Sequence, residues 1–227
     1  MKVRRYYTLW ASLPQLPDFT IADRLPINRQ RLDARLNLLD KDDHEQLYVA
    51  APLLAWDREA VARVDDQVAR QYEAARARLS NPVLRAFVDG QLENRTVLAA
   101  LRRRRLGQHS PRARSSRWGV GTRVRWIAQN WDDPNFKLDA PLRWVAEARD
   151  CLESGNAVDL QRLTLELAWR ELGRITEQHA FRFEAIFAYA FKWGILHRWL
   201  TYDAEAAAER FRGLVAEGIG KQEAQLA

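Results

Sequence analysis

An all-α fold, an irregular bundle of about seven to nine helices behind an extended aromatic N-terminal segment, is what this sequence predicts. The chain of 227 residues holds only 10 glycines and 8 prolines. Its apolar residues recur at three- and four-residue intervals, and alternating, strand-like runs are nearly missing. With 47% hydrophobic and 29% charged residues it can bury an ordinary core, which excludes disordered, fibrous and collagen-like classes. No internal repeat is apparent, so residues 1–227 read as one helical domain with an exposed, arginine-rich loop over 107–121.

The opening run Tyr6-Tyr7-Thr8-Leu9-Trp10-Ala11-Ser12-Leu13-Pro14 is aromatic and runs into Pro14 and Pro17, so an extended strap anchored by its rings is expected, followed by a short helix around Asn28 to Leu39. Asp43 with Gln46 three residues on has the spacing of a capping box and predicts the start of a second helix, which Pro52 should break before it ends near Leu79. Asn81-Pro82 reads as N-cap and first position of a helix that stops near Gly107, about 37 Å long at ~1.5 Å per residue. The Ser-, Pro-, Gly- and Arg-rich stretch from Gly107 to Gly121 is expected to be the most mobile segment. A short helix around Thr122 to Asn130 follows, then the turn Asp132-Asp133-Pro134-Asn135. Further helix starts are marked by Asp139 with Pro141, by Asn156 with Asp159 after a stop at Gly155, and by Asp203. The stretch from Phe181 to Trp199 carries apolar side chains nearly all round and predicts a helix enclosed by its neighbours rather than a cofactor box.

No catalytic or cofactor motif is present. Cys151 is the single cysteine, so neither an intrachain disulfide nor a thiolate cluster can form, and a cytoplasmic setting is expected. His44, His109, His179 and His197 are far apart and have no ligand partners at helical spacing; His44-Glu45 opens like a metalloprotease helix, but Tyr48 stands where the second ligand belongs. His197, among Trp193, Ile195, Leu196 and Trp199, reads as a packed core residue. Gly119-Val120-Gly121 lacks the third glycine of a dinucleotide loop, where Val124 stands, and no Gly-Lys-Ser/Thr follows. Ser115 and Ser116 have no triad context, and most carboxylates lie beside arginines at helical spacing, as Glu166 does with Arg170. The expectation is a protein with no catalytic residues, cofactor or metal. Met1 to Arg5 is basic but is not followed by a targeting pattern, and the apolar segment 181–200 holds too many charges for a bilayer span.

One compositional anomaly remains. The whole chain carries +6, yet Arg95 to Trp131 contains ten arginines and no Asp or Glu, leaving a net −4 for the rest. Arginines at a helix C-terminus complement its dipole, so part of this run has a purely structural account. The functional account makes Arg102, Arg103, Arg104, Arg105, Arg112, Arg114, Arg117, Trp118, Arg123, Arg125 and Trp126 a partner-binding surface. Three partners suit it: nucleic acid, neutralised by arginine and stacked on tryptophan; an acidic protein surface; or anionic lipid headgroups.

Three segments together resemble a bacterial protein family encoded with V-type ATPase subunits. They are the tyrosine-rich opening ending Ser12-Leu13-Pro14; Glu93-Asn94-Arg95 through Leu98, Leu101, Arg102 and Arg105; and Phe183-Glu184-Ala185-Ile186-Phe187-Ala188-Tyr189-Ala190-Phe191-Lys192 to Arg198-Trp199. The middle segment is also distantly similar to the helical component of V/A-type ATPases that couples the central shaft to the membrane rotor ring. The resemblance implies a non-catalytic, structural or assembly component, peripheral at the inner face of the membrane through the ATPase, with shaft and rotor subunits as partners. This chain departs from the family in its arginine-rich loop from Gly107 to Arg117 and in having only five lysines. The alternative is a nucleic-acid-binding helical protein using the Arg95 to Arg125 segment.

Overall fold

The structure is a computed structural model that describes residues 5–54, 65–111 and 118–202. Among these, all regular secondary structure is helical, and the all-α reading stands. The helices are α1 (Tyr7–Ser12), α2 (Arg29–Leu36), α3 (Lys41–Ala50) with a 3-10 turn at Ala51–Leu53, α4 (Asp65–Arg78), α5 (Pro82–Arg105), α6 (Val124–Gln129), α7 (Trp144–Glu153), α8 (Ala157–Gln178) and α9 (183–202). The start marked by Asp203 lies outside the described residues, as do Arg112, Arg114 and Arg117.

Local signals set most of these boundaries. Asn28 Oδ1 accepts from Arg31 N to begin α2, Asn81 Oδ1 accepts from Val83 N and Leu84 N with Pro82 in the first turn of α5, and Asn156 Oδ1 accepts from Asp159 N at α8. Pro52 ends α3 through the 3-10 turn. Gly107 at φ +69° and Gly155 at φ +74° stop α5 and α7 in the left-handed conformation glycine tolerates.

Two expectations about the N-terminal helices are corrected. The aromatic opening is helical over Tyr7–Ser12 and turns extended only at Leu13. Pro14 and Pro17 limit this helix without preventing it, because a proline disfavours helix at and before its own position, not several residues upstream. The expected anchoring holds: the Tyr6 hydroxyl donates to Asp43, Tyr189 OH donates to Pro14 O (2.8 Å), Trp193 Nε1 donates to Ile27 O (2.7 Å), and Phe19 lies against Trp169 and Trp199. The capping box does not form. Helix α3 starts at Lys41, Asp43 accepts from Tyr6, and Gln46 Oε1 accepts from Asn81 N, so both side chains serve distant segments instead of their own helix end.

Two apolar cores result. The larger gathers α1 to α4, the first half of α5, the second half of α8, and α9, with Phe87, Phe187 and Phe191 at its centre. Helix α9 is enclosed as expected, burying Phe183, Ile186, Phe187, Tyr189, Phe191 and Trp193 among others. The smaller core joins the second half of α5 and the start of α8 to α6, α7 and the segments flanking α6, around Trp118, Ile127, Trp131 and Phe136. His197 lies at the surface, stacked on Trp193 (ring centroids 5.1 Å, 15° between planes), and is not a core residue. No described helix is long and apolar enough to cross a membrane.

Candidate functional site

The described parts of the arginine segment pack together, the end of α5 lying against Trp118 and the turn after α6. Helix α5 closes with a Schellman arrangement: Gln108 N donates to Arg103 O and Gly107 N to Arg104 O, while Leu106 N donates to Arg102 O. The carbonyls of Arg102, Arg103 and Arg104 are therefore satisfied by backbone, and the guanidinium groups of the final turn are not needed to cap them.

They divide into two pairs. Arg104 reaches across to the turn after α6, donating from Nε to Trp131 O (3.2 Å) and from its two terminal nitrogens to Pro134 O and Asp132 O (3.4 Å each). Arg103 lies over the ring of Trp118 at 5.9 Å. Arg102 and Arg105 are exposed, and neither has a hydrogen-bond or ion-pair partner among the described residues. Surrounding protein still desolvates the Arg102 guanidinium enough to lower its pKa from the ordinary value. It stays charged at any physiological pH.

The rest of the expected surface is partly structural. Trp118 is 2% exposed and packs edge-on against Trp131, so it offers no face to a base. Arg123 pairs with Glu93, whose Oε1 also accepts from Thr122 N (2.8 Å), Thr122 Oγ1 (2.8 Å) and Arg123 N (3.0 Å). Glu93 thus caps the entry to α6. Arg95 donates from Nη1 to Leu53 O (2.7 Å) and ties α5 to the 3-10 turn. Arg125 is exposed, and Trp126 is 47% exposed with Nε1 donating to Phe136 O (2.9 Å).

Gly119-Val120-Gly121 is a strap clamped to α5, which explains the missing phosphate-loop signature. Thr96 Oγ1 accepts from Val120 N (2.9 Å) and lies 2.8 Å from Val120 O, and a Cβ on Gly119 would collide with Thr96 Cγ2. Gly121 sits at φ +110° against Glu93. The end of the expected exposed loop is therefore buried, because Trp118 and Val120 dock on α5.

Beside the end of α5 an open cleft of about 900 Å³ is framed by Arg104, Arg105, the Gly107 to Ser110 loop, Trp131-Asp132 and the last turn of α7. Helix α7 contributes Arg149, which donates from Nη2 to Asp150 Oδ1 (2.7 Å), from Nη1 to Asn135 Oδ1 (3.2 Å), and pairs with Glu153 at 3.7 Å. Arg149 and His109 lie outside the partner-binding set expected from sequence. Arg149 lies 44 residues beyond Arg105, in an ordinary helical pattern, so only packing of α7 on α5 identifies it. Among the described residues no group of three or more His, Cys, Asp or Glu is placed to hold a metal ion.

No curated protein and no solved structure matches this chain. A family model does, over residues 27–219, from the start of the α2 region through α9 and beyond. The chain belongs to the family of proteins of unknown function DUF2764.

Proposed function

We propose that the protein is a non-catalytic structural or assembly component of a bacterial V/A-type ATPase, similar in role to the piece that joins shaft to rotor ring, and that it docks through its arginine-rich end to shaft or rotor subunits. The observation that carries this reading is the division of the arginines. Arg103, Arg104 and Arg123 build the fold, whereas Arg102, Arg105 and Arg125 stand at the surface without a carboxylate partner among the described residues. Exposed guanidinium groups with no carboxylate partner among the described residues suit electrostatic recognition of an acidic protein surface. The three-segment resemblance in sequence supplies the ATPase as the complex. The rival nucleic-acid reading is weakened by the burial of Trp118 and Trp131, which leaves Trp126 as the exposed ring of the three.

The test is a nuclease-treated affinity pull-down from the native cell, washed at low and then moderate salt. Recovery of ATPase catalytic and shaft subunits, reduced by the triple change Arg102→Gln, Arg105→Gln and Arg125→Gln and more salt-sensitive in that variant, is the expected result. Absence of those subunits, with salt-sensitive nucleic acid in untreated lysate, overturns the reading.

A further inference from the structure

Of the three lysines among the described residues, Lys41 and Lys137 are exposed, whereas Lys192 on α9 is half-buried against α8. Its Nζ lies 4.7 Å from the ring centroid of Trp169 and has no hydrogen-bond or ion-pair partner among the described residues. Trp169 is backed by Phe19, whose ring also meets Trp199, so the amine stands against an aromatic wall. One turn beyond Trp169 comes Gly173, where a Cβ would lie 3.4 Å from Nζ, and the missing side chain is what leaves space at the nitrogen. The stem of Lys192 is covered, but Nζ itself still touches solvent.

This setting favours a nucleophile. Burial lowers the lysine pKa from its ordinary value, and the charges of Glu177 and Asp18, which act to raise it, lie beyond ion-pair distance. The indole face attracts the ammonium but takes up no proton, and no donor is placed to occupy the lone pair of the neutral amine. A desolvated lysine nitrogen left unpaired in this way is the arrangement that activates the amine towards a carbonyl carbon. The space at Gly173 is that of one side chain, which suits a short acyl group.

We propose that Lys192 is a modification site, acetylated at Nζ by a small acyl phosphate in the recess between Trp169 and Gly173. The amine lone pair attacks the carbonyl carbon, and a C–N bond forms as the C–O bond to phosphate breaks. Phosphate leaves with the electron pair, needing no protein acid to help it, and the amine proton passes to water. The product is a neutral amide, so the positive charge over Trp169 is lost without an ion pair having to be broken. The inference does not rest on the docking reading, since none of these residues belongs to the arginine surface.

Incubation of the full chain with acetyl phosphate near neutral pH tests it, with samples quenched at intervals and read by peptide mass spectrometry. Lys41 and Lys137 serve as internal references. Lys192 is expected to acetylate at least about threefold faster than either, because a larger fraction of it is the free amine. In concentrated urea, where the amines are solvated alike, the three rates should converge. Gly173→Ala, a change that helix propensity favours, puts a methyl group beside the nitrogen and should slow Lys192 at least about twofold while leaving the reference lysines unchanged. Loss of folding cannot mimic that pattern. Lys192 reacting no faster than the references, a preference that survives urea, or an unchanged Lys192 rate in Gly173→Ala overturns the site.

Discussion

Glu93 holds Arg123 twice, by its backbone amide through Oε1 and by its guanidinium through Oε2, so a single carboxylate on α5 fixes both the start and the charge of α6. Glu93 is mostly buried, and its removal would leave the partly buried Arg123 amide and guanidinium without their acceptor and take one from the exposed Thr122 amide and hydroxyl as well. Glu93→Ala is therefore expected to lower stability by about 3 kcal/mol, read as a shift in the urea midpoint at unchanged slope. Glu93→Gln keeps an acceptor for the amides but loses the charge, and should cost roughly half as much.

The strap on α5 makes a second prediction. A methyl group at Gly119 meets Thr96 Cγ2, so Gly119→Ala should destabilise by about 2 kcal/mol through overpacking. Thr96→Ser removes the opposing methyl group while keeping the hydroxyl that bonds Val120. The double variant should then be more stable than the sum of the two single changes implies, in a double-mutant cycle by denaturant unfolding. At Gly107 the space is open and the strain is conformational alone, so Gly107→Ala should cost about 1 kcal/mol.

Neutralising the whole Arg102 to Arg105 run would mix docking with folding. Arg104→Ala removes a charged donor from the turn after α6 and is expected to destabilise by about 2 kcal/mol. Arg105→Ala should stay within about 0.5 kcal/mol of the parent. Thermal unfolding of the two single variants separates these cases, and equal losses would place Arg105 in the fold.

Much of this architecture can be read locally. Asn81-Pro82, Asn156 with Asp159, Gly107, Gly155 and Pro52 each act on their own backbone, so a few adjacent residues suffice to place a helix end. Asp43 and Gln46 show where such reading fails: their spacing is right for a cap, yet Tyr6 and Asn81 claim them from 37 and 35 residues away. The same holds at the candidate site. The arginine anomaly is visible in composition, but which guanidinium groups face solvent depends on carbonyls and rings brought in by α6 and the turn that follows it. The Arg149 wall of the cleft has no signature at all until α7 packs.

Glu171 gives a pH dependence whose sign is fixed by its surroundings. Burial raises its pKa from the ordinary carboxylate value, against the hydrogen bond from Gln91 Nε2 (3.1 Å) and the charge of Arg174, which act to lower it. The folded state thus holds this proton more tightly than the unfolded chain does. Its contribution to stability is fully present below the unfolded pKa and is lost as pH rises through the raised folded value. Glu171→Gln should accordingly be more stable than the parent near neutral pH, with the difference in Tm closing as pH falls into the ordinary carboxylate range. A constant difference across that range would show that the carboxyl titrates as it does in the unfolded chain.

Helices α5 and α8 each run through both apolar cores, Phe87 and Leu101 lying at opposite ends of one and Leu160 and Leu172 at opposite ends of the other. They act as two shared beams. A cut between the cores would strip half the apolar face from each beam, so neither half can stand as a separate module.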